Sequence, residues 1–183
     1  MNRLKWFLIV LFGIFQQVAI SQIVNESKTE IHYLSGTDKD HLVDWDFYVS
    51  EGMNSGKWTK IGVPSCWEQQ GFGAYNYGSD DSDKRAKEFG LYKHTFKVPA
   101  DWSAKDVTIV FEGVMTDAEV KINGKLGGEI HQGAFYEFKY SISKLLNYGK
   151  DNVLEVKVHK VSANESINFA EREADFWIFG GIY

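Results

Sequence analysis

A predicted β-hairpin in the middle of the chain constrains the fold more than any other feature. Val107–Phe111 is rich in β-branched residues, and Ala118–Ile122 alternates apolar and polar side chains up to Asn123-Gly124. Alternation with period two places one face of a strand in a core. Asn-Gly supplies the two positive-φ residues of a type I′ turn, so Lys125–Ile130 is predicted to return antiparallel. Because two strands cannot bury an apolar face alone, the sequence predicts an all-β sandwich.

Other segments supply the strands that cover this hairpin. In Asp44–Val49, the side chains of Trp45, Phe47 and Val49 share one face. The remaining predicted strands are Lys57–Val63, Leu91–Val98, Gly133–Phe138 and Asn152–His159. Prolines at 64 and 99 end two of them, because proline lacks the N–H that strand pairing needs.

The sequence also indicates the nature of three segments that connect these strands. Ser141–Leu146 is predicted as a single helical turn, and residues 160–174 as a polar connection. Residues 71–90 form a predicted long loop, which is unusual inside a compact domain unless it has a function. Its Tyr- and Gly-rich first half is a candidate binding loop, whereas its charged second half is interpreted as solvated.

The first 21 residues have the pattern of a secretory signal peptide. Arg3 and Lys5 form a basic start, residues 6–15 an apolar run, and Ala19 and Ser21 fit the cleavage site. The apolar run is shorter than the ~20 residues that a membrane span needs, so cleavage is favoured over an anchor. We therefore expect an exported chain, periplasmic or secreted, whose mature domain is residues 22–183 and is not held at a membrane.

Composition excludes several classes of partner and site. The formal net charge is −5 and no basic run is present, which argues against nucleic acid and anionic lipid as partners. Cys66 is the single cysteine, so the sequence predicts no intramolecular disulfide, and the five histidines lack metal-ligand spacing. The aromatic share is 15%, and such rings either stack on sugars or fill sandwich cores.

Short motifs along the chain resemble those of one enzyme family in their order and spacing. They are Val63–Glu68, Tyr92–Val98, Val110–Val114, Ala118–Gly124, His131–Phe138, Asn152–Val156, Asp175–Trp177 and Gly180–Tyr183. Together they resemble the N-terminal sugar-binding domain of glycoside hydrolase family 2, the family of β-galactosidases, β-glucuronidases and β-mannosidases. The resemblance implies a galactose-binding-like jelly-roll β-sandwich, here with its final strand missing.

The resemblance ends at Gly180–Tyr183, and this bears on catalysis. In the family, the acid/base and nucleophilic glutamates come from a TIM barrel, and no segment of the 183 residues resembles it. Retaining hydrolysis needs two carboxyl groups about 5 Å apart. Glu112, Glu119 and Glu137 alternate outward on predicted strands and are interpreted as a solvated sheet face. No catalytic residue is predicted, and the chain alone is expected not to hydrolyse a glycoside.

Two positions match residues that reach the sugar in the family. Asp175 matches an aspartate that contacts substrate hydroxyls and, in some full-length members, helps to hold a sodium ion; no other cofactor or metal is expected. Asn76 lies where family members place an asparagine near the substrate. The alternatives are a solvent-facing aspartate and a turn-forming asparagine. Trp177, Tyr75 and Tyr77 are further candidates, as a wall of rings that stacks on the sugar.

Three hypotheses about function follow. The first is an exported, truncated relative of the family, associated with polysaccharide degradation, that keeps only the carbohydrate-binding domain. Full-length members would release a terminal β-linked galactose, glucuronate or similar sugar. The second is a free-standing, secreted lectin-like module, and the third is a non-functional remnant with an open sheet edge. The expected partner is an oligosaccharide or polysaccharide, and whether a separate polypeptide supplies the missing domains stays open.

Overall fold

The computed structural model describes residues 28–80 and 88–183. The predicted signal peptide and residues 81–87 of the predicted loop lie outside this part. His32–Tyr183 form one compact unit. In the part of the chain that the structure describes, none of the helices has the length and hydropathy of a transmembrane segment.

The unit is built mainly of strands. In chain order they are β1 (Val43–Val49), β2 (Thr59–Val63), β3 (Ser65–Cys66), β4 (Asn76–Tyr77), β5 (Phe89–Lys97), β6 (Thr108–Phe111), β7 (Val114–Met115), β8 (Asp117–Ile122), β9 (Lys125–Leu126), β10 (Phe138–Ser141), β11 (Asp151–His159), β12 (Trp177–Ile178) and β13 (Gly181–Ile182). Six of them form one antiparallel sheet in the order β2-β1-β5-β11-β8-β9. Smaller sheets are β10-β6, β12-β4 and β3-β13-β7.

One hydrophobic core joins the large sheet to the smaller ones. Phe47 of β1 packs against Trp67, and Phe111 of β6 stacks on Phe138 of β10 at 4.9 Å between ring centroids. All four side chains are buried in the same cluster, together with Val156 of β11. Because apolar faces of separate sheets share this core, the fold is the all-β sandwich that the sequence predicts.

Alternation along the large sheet decides which face is buried. Trp45, Phe47 and Val49 point into the core, as predicted. The opposite face carries ion pairs across neighbouring strands, such as Lys93 Nζ to Glu155 Oε1 at 3.0 Å. Both partners are partly exposed, and such surface pairs contribute little to stability. Glu119 lies on this outer face, as predicted, whereas Glu112 and Glu137 are exposed but lie outside the strands, directly after β6 and directly before β10.

The central hairpin has the predicted turn. Asn123 and Gly124 have φ values of 53° and 78°, both in the left-handed region that a type I′ turn requires. Ile122 pairs with Lys125 across the turn. The returning strand is shorter than the predicted Lys125–Ile130: β9 ends at Leu126. Strand pairing with β8 resumes at a single bridge between Ala118 and His131.

In the second half of the chain one predicted strand is wrong, and one helix was not predicted. Gly133–Phe138 is not a strand: β10 begins at Phe138, while the Ala134 N–H donates to Glu171 Oε2 at 2.7 Å instead of to a neighbouring strand. Residues 160–174 contain a helix, α1 (Glu165–Glu171), whose first turn is capped by the Asn164 side chain. The predicted single helical turn is confirmed as a 3₁₀ turn over Ser143–Leu145.

Two half-buried histidines predict that acid destabilises the unit. Burial lowers the pKa of His94, which stacks on Trp45, and of His159, beside Phe89. The ordinary pKa of histidine is 6.5, so the unfolded chain binds these protons at a higher pH than the folded unit does. Acidification therefore favours the unfolded chain. We expect the melting temperature to fall between about pH 7.5 and about pH 5.5, and to fall less in the double variant His94→Gln/His159→Gln. Equal slopes for parent and variant would contradict this expectation.

Candidate functional site

A short two-stranded ribbon gathers the residues that the sequence singles out. β4 and β12 pair antiparallel, with Trp177 opposite Tyr77 and Ile178 opposite Asn76. Because side chains alternate across a strand, Trp177 and Tyr77 point to solvent while Asn76 and Ile178 point inward. Residues 75–77 and 175–178 are called the aromatic ribbon below.

The rings of the aromatic ribbon meet edge to face. The Trp177 centroid lies 5.9 Å from that of Tyr75 and 5.1 Å from that of Tyr77, with interplanar angles of 82° in both cases. Such perpendicular contacts are the favoured geometry of aromatic pairs. Trp177 is 54% exposed and Tyr75 is 50% exposed, so about half of each side chain is accessible to a ligand. The structure therefore brings all three predicted ring residues together in one wall, in which Trp177 and Tyr75 are exposed and Tyr77 is partly exposed.

Asp175 lies at the edge of this wall. Its backbone carbonyl accepts a hydrogen bond from the Tyr77 hydroxyl at 3.0 Å, and the residue is exposed. A carboxylate beside exposed rings can accept hydrogen bonds from the hydroxyls of a sugar that stacks on them. The described residues contain no group of three or more His, Cys, Asp or Glu side chains that could hold a metal. Asp175 alone offers fewer oxygens than a hard cation such as sodium takes.

Asn76 has a different environment from the other four predicted residues. It is 8% exposed, and its Oδ1 accepts a hydrogen bond from Lys160 Nζ at 2.9 Å. Its side chain is thus directed beneath the ribbon and not toward the exposed ring wall.

Lys160 is the centre of a buried charge cluster under the ribbon. Its side chain is fully buried, and Nζ lies 2.6 Å from Glu68 Oε1 and 3.3 Å from Glu88 Oε1. Nζ also donates to the carbonyl oxygen of Ala74. A charge this deeply buried requires such partners, since an unpaired one is strongly unfavourable. We call Lys160, Glu68 and Glu88 the buried charge cluster.

Glu68 connects this cluster to the segment after β12. Both of its carboxylate oxygens accept from the Gly180 N–H at 3.1 Å. Burial raises the pKa of Glu68 above its ordinary value, and the charge of Lys160 opposes that rise. Arg172 lies beside the cluster and donates from Nη2 to the carbonyl oxygens of Lys160 (3.2 Å) and Phe179 (2.5 Å).

Glu88 connects the cluster to the segment before β4. Its Oε2 accepts from the Ala74 N–H at 3.1 Å, and its Oε1 accepts from Trp67 Nε1 at 2.8 Å. Trp67 is completely buried in the core. The cluster therefore joins the core to both strands of the aromatic ribbon.

Sequence reasoning missed this cluster, although the pattern of β11 contains a signal for it. Leu154, Val156 and Val158 are buried at every second position, and Lys160 continues the same phase. A lysine at an inward position predicts a buried acidic partner. The sequence does not indicate which acids they are, because Glu68 and Glu88 are far from Lys160 along the chain.

The cluster does not have the geometry of a hydrolytic site. Glu68 and Glu88 are 1% and 2% exposed, and Lys160 contacts both of them. A glycosidic bond has no access to carboxylates that are buried in this way, whereas a hydrolase needs its two carboxyl groups on either side of the sugar. Cys66 is close in sequence, and burial raises the pKa of its thiol to about 11, which keeps it protonated near neutral pH.

The fold and the ribbon define a class: an all-β sandwich domain with an exposed aromatic wall of the kind that binds carbohydrate. Residues 53–183 match the family model described as the sugar binding domain of glycosyl hydrolases family 2. The match covers well over half of the chain, so the chain belongs to this family, as its motifs predict.

Relatives of known name agree with this assignment. The chain is 37% identical over 93 residues to a β-galactosidase of Thermoanaerobacter pseudethanolicus, which is 50% of this chain and 12% of that protein. It is 29% identical over 142 residues to a β-glucuronidase of Bacteroides fragilis, which is 76% of this chain and 19% of that protein. The chain thus spans less than a fifth of the length of either relative.

The fold is also similar to that of a solved family member. The crystal structure of a β-glucuronidase of Bacteroides uniformis matches with a TM-score of 0.55 and 26% identity, over 76% of this chain and 16% of that one. This likeness confirms the predicted class of β-sandwich.

Proposed function

We propose that this chain binds carbohydrate through the aromatic ribbon, as the sugar-binding part of a β-glucuronidase- or β-galactosidase-like protein in polysaccharide degradation. The observation that carries the proposal is the exposed, edge-to-face wall of Tyr75, Tyr77 and Trp177 next to Asp175. The apolar face of a pyranose can stack on such rings while a carboxylate accepts from its hydroxyls. The family membership of the chain supports the same ligand class.

The hydrolytic step is proposed to lie outside these 183 residues. The relatives are glycosidases several times longer than this chain, and the acids of the buried charge cluster are closed to a substrate. We expect the purified chain to release no sugar from chromogenic β-galactosides or β-glucuronides. Export to the periplasm or the medium is a proposal of its own, supported by the pattern of the first 21 residues.

The role of the ring wall is tested by substituting Trp177. In calorimetric titrations with oligosaccharides that end in β-linked galactose or glucuronate, Trp177→Ala is expected to weaken binding at least about tenfold, equivalent to ~1.4 kcal/mol, because a central aromatic contact is lost. The ring is exposed and its removal leaves the core intact, so the variant should unfold at nearly the parent denaturant concentration.

Trp58 provides a matched control for this substitution. It is also 54% exposed and also contacts a tyrosine, Tyr48, at 5.9 Å between centroids, but it precedes β2 at the edge of the large sheet. Trp58→Ala is expected to leave the affinity within about twofold of the parent value. Equal losses in both variants, or a parent chain that binds neither class of oligosaccharide, would refute binding through the ribbon.

A further inference from the structure

The aromatic ribbon has little intrinsic means of keeping its shape. Each strand contains two residues; Trp177 pairs with Tyr77 and Ile178 with Asn76, and one further backbone hydrogen bond runs from the Gly78 N–H to the Phe176 carbonyl at 2.8 Å. An isolated two-stranded ribbon is marginal in water. The exposed rings of Tyr75 and Trp177 therefore depend on what holds the backbone beneath them.

The buried charge cluster holds the first strand on both sides of Tyr75. Before Tyr75, the Ala74 N–H donates to Glu88 Oε2 and the Ala74 carbonyl accepts from Lys160 Nζ. After Tyr75, the Asn76 side chain accepts from the same Nζ. The Tyr75 hydroxyl also donates to the backbone carbonyl of Glu68 at 3.0 Å.

The same cluster holds the end of the second strand. The Gly180 N–H donates to Glu68, whose Oε1 lies 2.6 Å from Lys160 Nζ. Gly180 is two residues after β12, so this bond fixes the exit of the strand that carries Trp177. One ammonium group thus connects both strands of the ribbon through charge-assisted hydrogen bonds, which are stronger than neutral ones.

We propose that the buried charge cluster positions the rings of the aromatic ribbon for carbohydrate, and that Asn76 is a positioning residue that acts through Lys160 and does not itself touch the sugar. This inference rests on the proposed function. A fully bonded buried polar network can fix one arrangement of the surrounding chain, which is the role assigned here.

Asn76→Ala tests the inference, because it removes one acceptor of Lys160 and leaves the contacts with Glu68, Glu88 and Ala74. Without ligand, the backbone amides of Ala74 and Gly78 are expected to exchange hydrogen at least about tenfold faster, while amides of β5 and β11 exchange as in the parent. Affinity for the oligosaccharide should fall at least about fivefold. Both readouts are measured on the whole chain.

Asn152→Ala is the matched control. Asn152 is also buried and its side chain is also hydrogen-bonded, but it connects β11 to the segments around Asn123 and Asn147, away from the ribbon. Its removal is expected to lower global stability while the exchange of Ala74 and Gly78, measured relative to β11, stays as in the parent. A purely structural role for Asn76 would make the two variants behave alike.

The outcomes separate the inference from the proposed function. Loss of affinity in Asn76→Ala without faster exchange would mean that Asn76 touches the sugar, and would overturn the inference. Unchanged affinity and exchange would also overturn it. If the parent binds no oligosaccharide, the proposed function fails, while faster exchange would still show that the cluster holds the ribbon.

A second variant covers the case in which Asn76→Ala does not fold. Glu88→Gln offers one acceptor oxygen to the two N–H donors of Trp67 and Ala74, and it retains the volume of the side chain. It is expected to accelerate exchange at Ala74 and to weaken binding in the same way. Parent-like exchange and affinity in this variant would refute the positioning role.

Discussion

Substitution of Lys160 by methionine is expected to lower the free energy of unfolding by about 3–5 kcal/mol, which is the typical cost of removing one partner from a buried ion pair. The ammonium group is fully buried, and its loss leaves the carboxylates of Glu68 and Glu88 without their closest cation. Methionine has nearly the same volume, so the effect reports on charge and not on a cavity. Urea unfolding followed by far-UV circular dichroism measures it.

The matched control is Lys157→Met on the outer face of β11, the strand that Lys160 directly follows. Lys157 Nζ lies 4.5 Å from the centroid of the Phe89 ring at the surface, and its replacement should change stability by no more than about 0.5 kcal/mol. Similar costs for the two substitutions would show that the buried charge cluster does not stabilise the fold.

The pH dependence of the Lys160→Met effect provides a second check. Burial raises the pKa of Glu68 above its ordinary 4.5, and Lys160 counteracts this rise. Without Lys160 the carboxyl group should hold its proton to higher pH, so that the buried negative charge is removed sooner on acidification. Because a raised carboxyl pKa means stability that is present at low pH and lost as the pH rises, the cost of the substitution should shrink toward acid.

The parts of the fold that were predictable depend on local pattern. The buried alternation of Trp45, Phe47 and Val49 defines β1 within its own residues, and Asn123-Gly124 defines the turn that follows β8. In both cases the physical cause, a pleat with one buried face or a pair of positive φ angles, lies in neighbouring residues.

The errors arise where distant residues determine the backbone. The segment around Ala134 has a strand-like composition, yet its N–H donates to Glu171 and its carbonyl accepts from the Tyr183 hydroxyl. Both partners are far away in sequence, so no local pattern contains this information. The helix that carries Glu171 was missed because residues 160–174 contain few apolar side chains at helical spacing.

The candidate site was predictable in its residues but not in its arrangement. The resemblance singles out Asp175 and Asn76, but the pairing of β4 with β12 spans about a hundred residues, and only the structure shows that Tyr75, Tyr77 and Trp177 form one wall. The inward direction of Asn76 follows from strand alternation, which requires the bounds of β4 to be known.

Gly180→Ala is expected to be strongly destabilising, at or above the upper end of the roughly 1–3 kcal/mol that overpacking of a core costs. A Cβ at Gly180 would lie closer than 3.0 Å to three ring atoms of Trp67. The indole cannot move away easily, because it is completely buried and its Nε1 is bonded to Glu88. Chemical denaturation measures the loss of stability, and the oligosaccharide titration should show weaker binding, since a shifted Gly180 also loses its bond to Glu68.

Gly127→Ala is the control that separates this clash from a general effect of removing glycine. A Cβ at Gly127 would have its nearest neighbours, in Tyr140 and Val120, at 3.5 Å, which is ordinary van der Waals contact. Its backbone is outside the left-handed region, so alanine should be neutral or stabilise the fold by about 0.4–1 kcal/mol through the unfolded state. If Gly180→Ala cost as little stability as this control, the close contact between Gly180 and Trp67 would not be required by the fold. The core would then have to support the aromatic ribbon through other contacts.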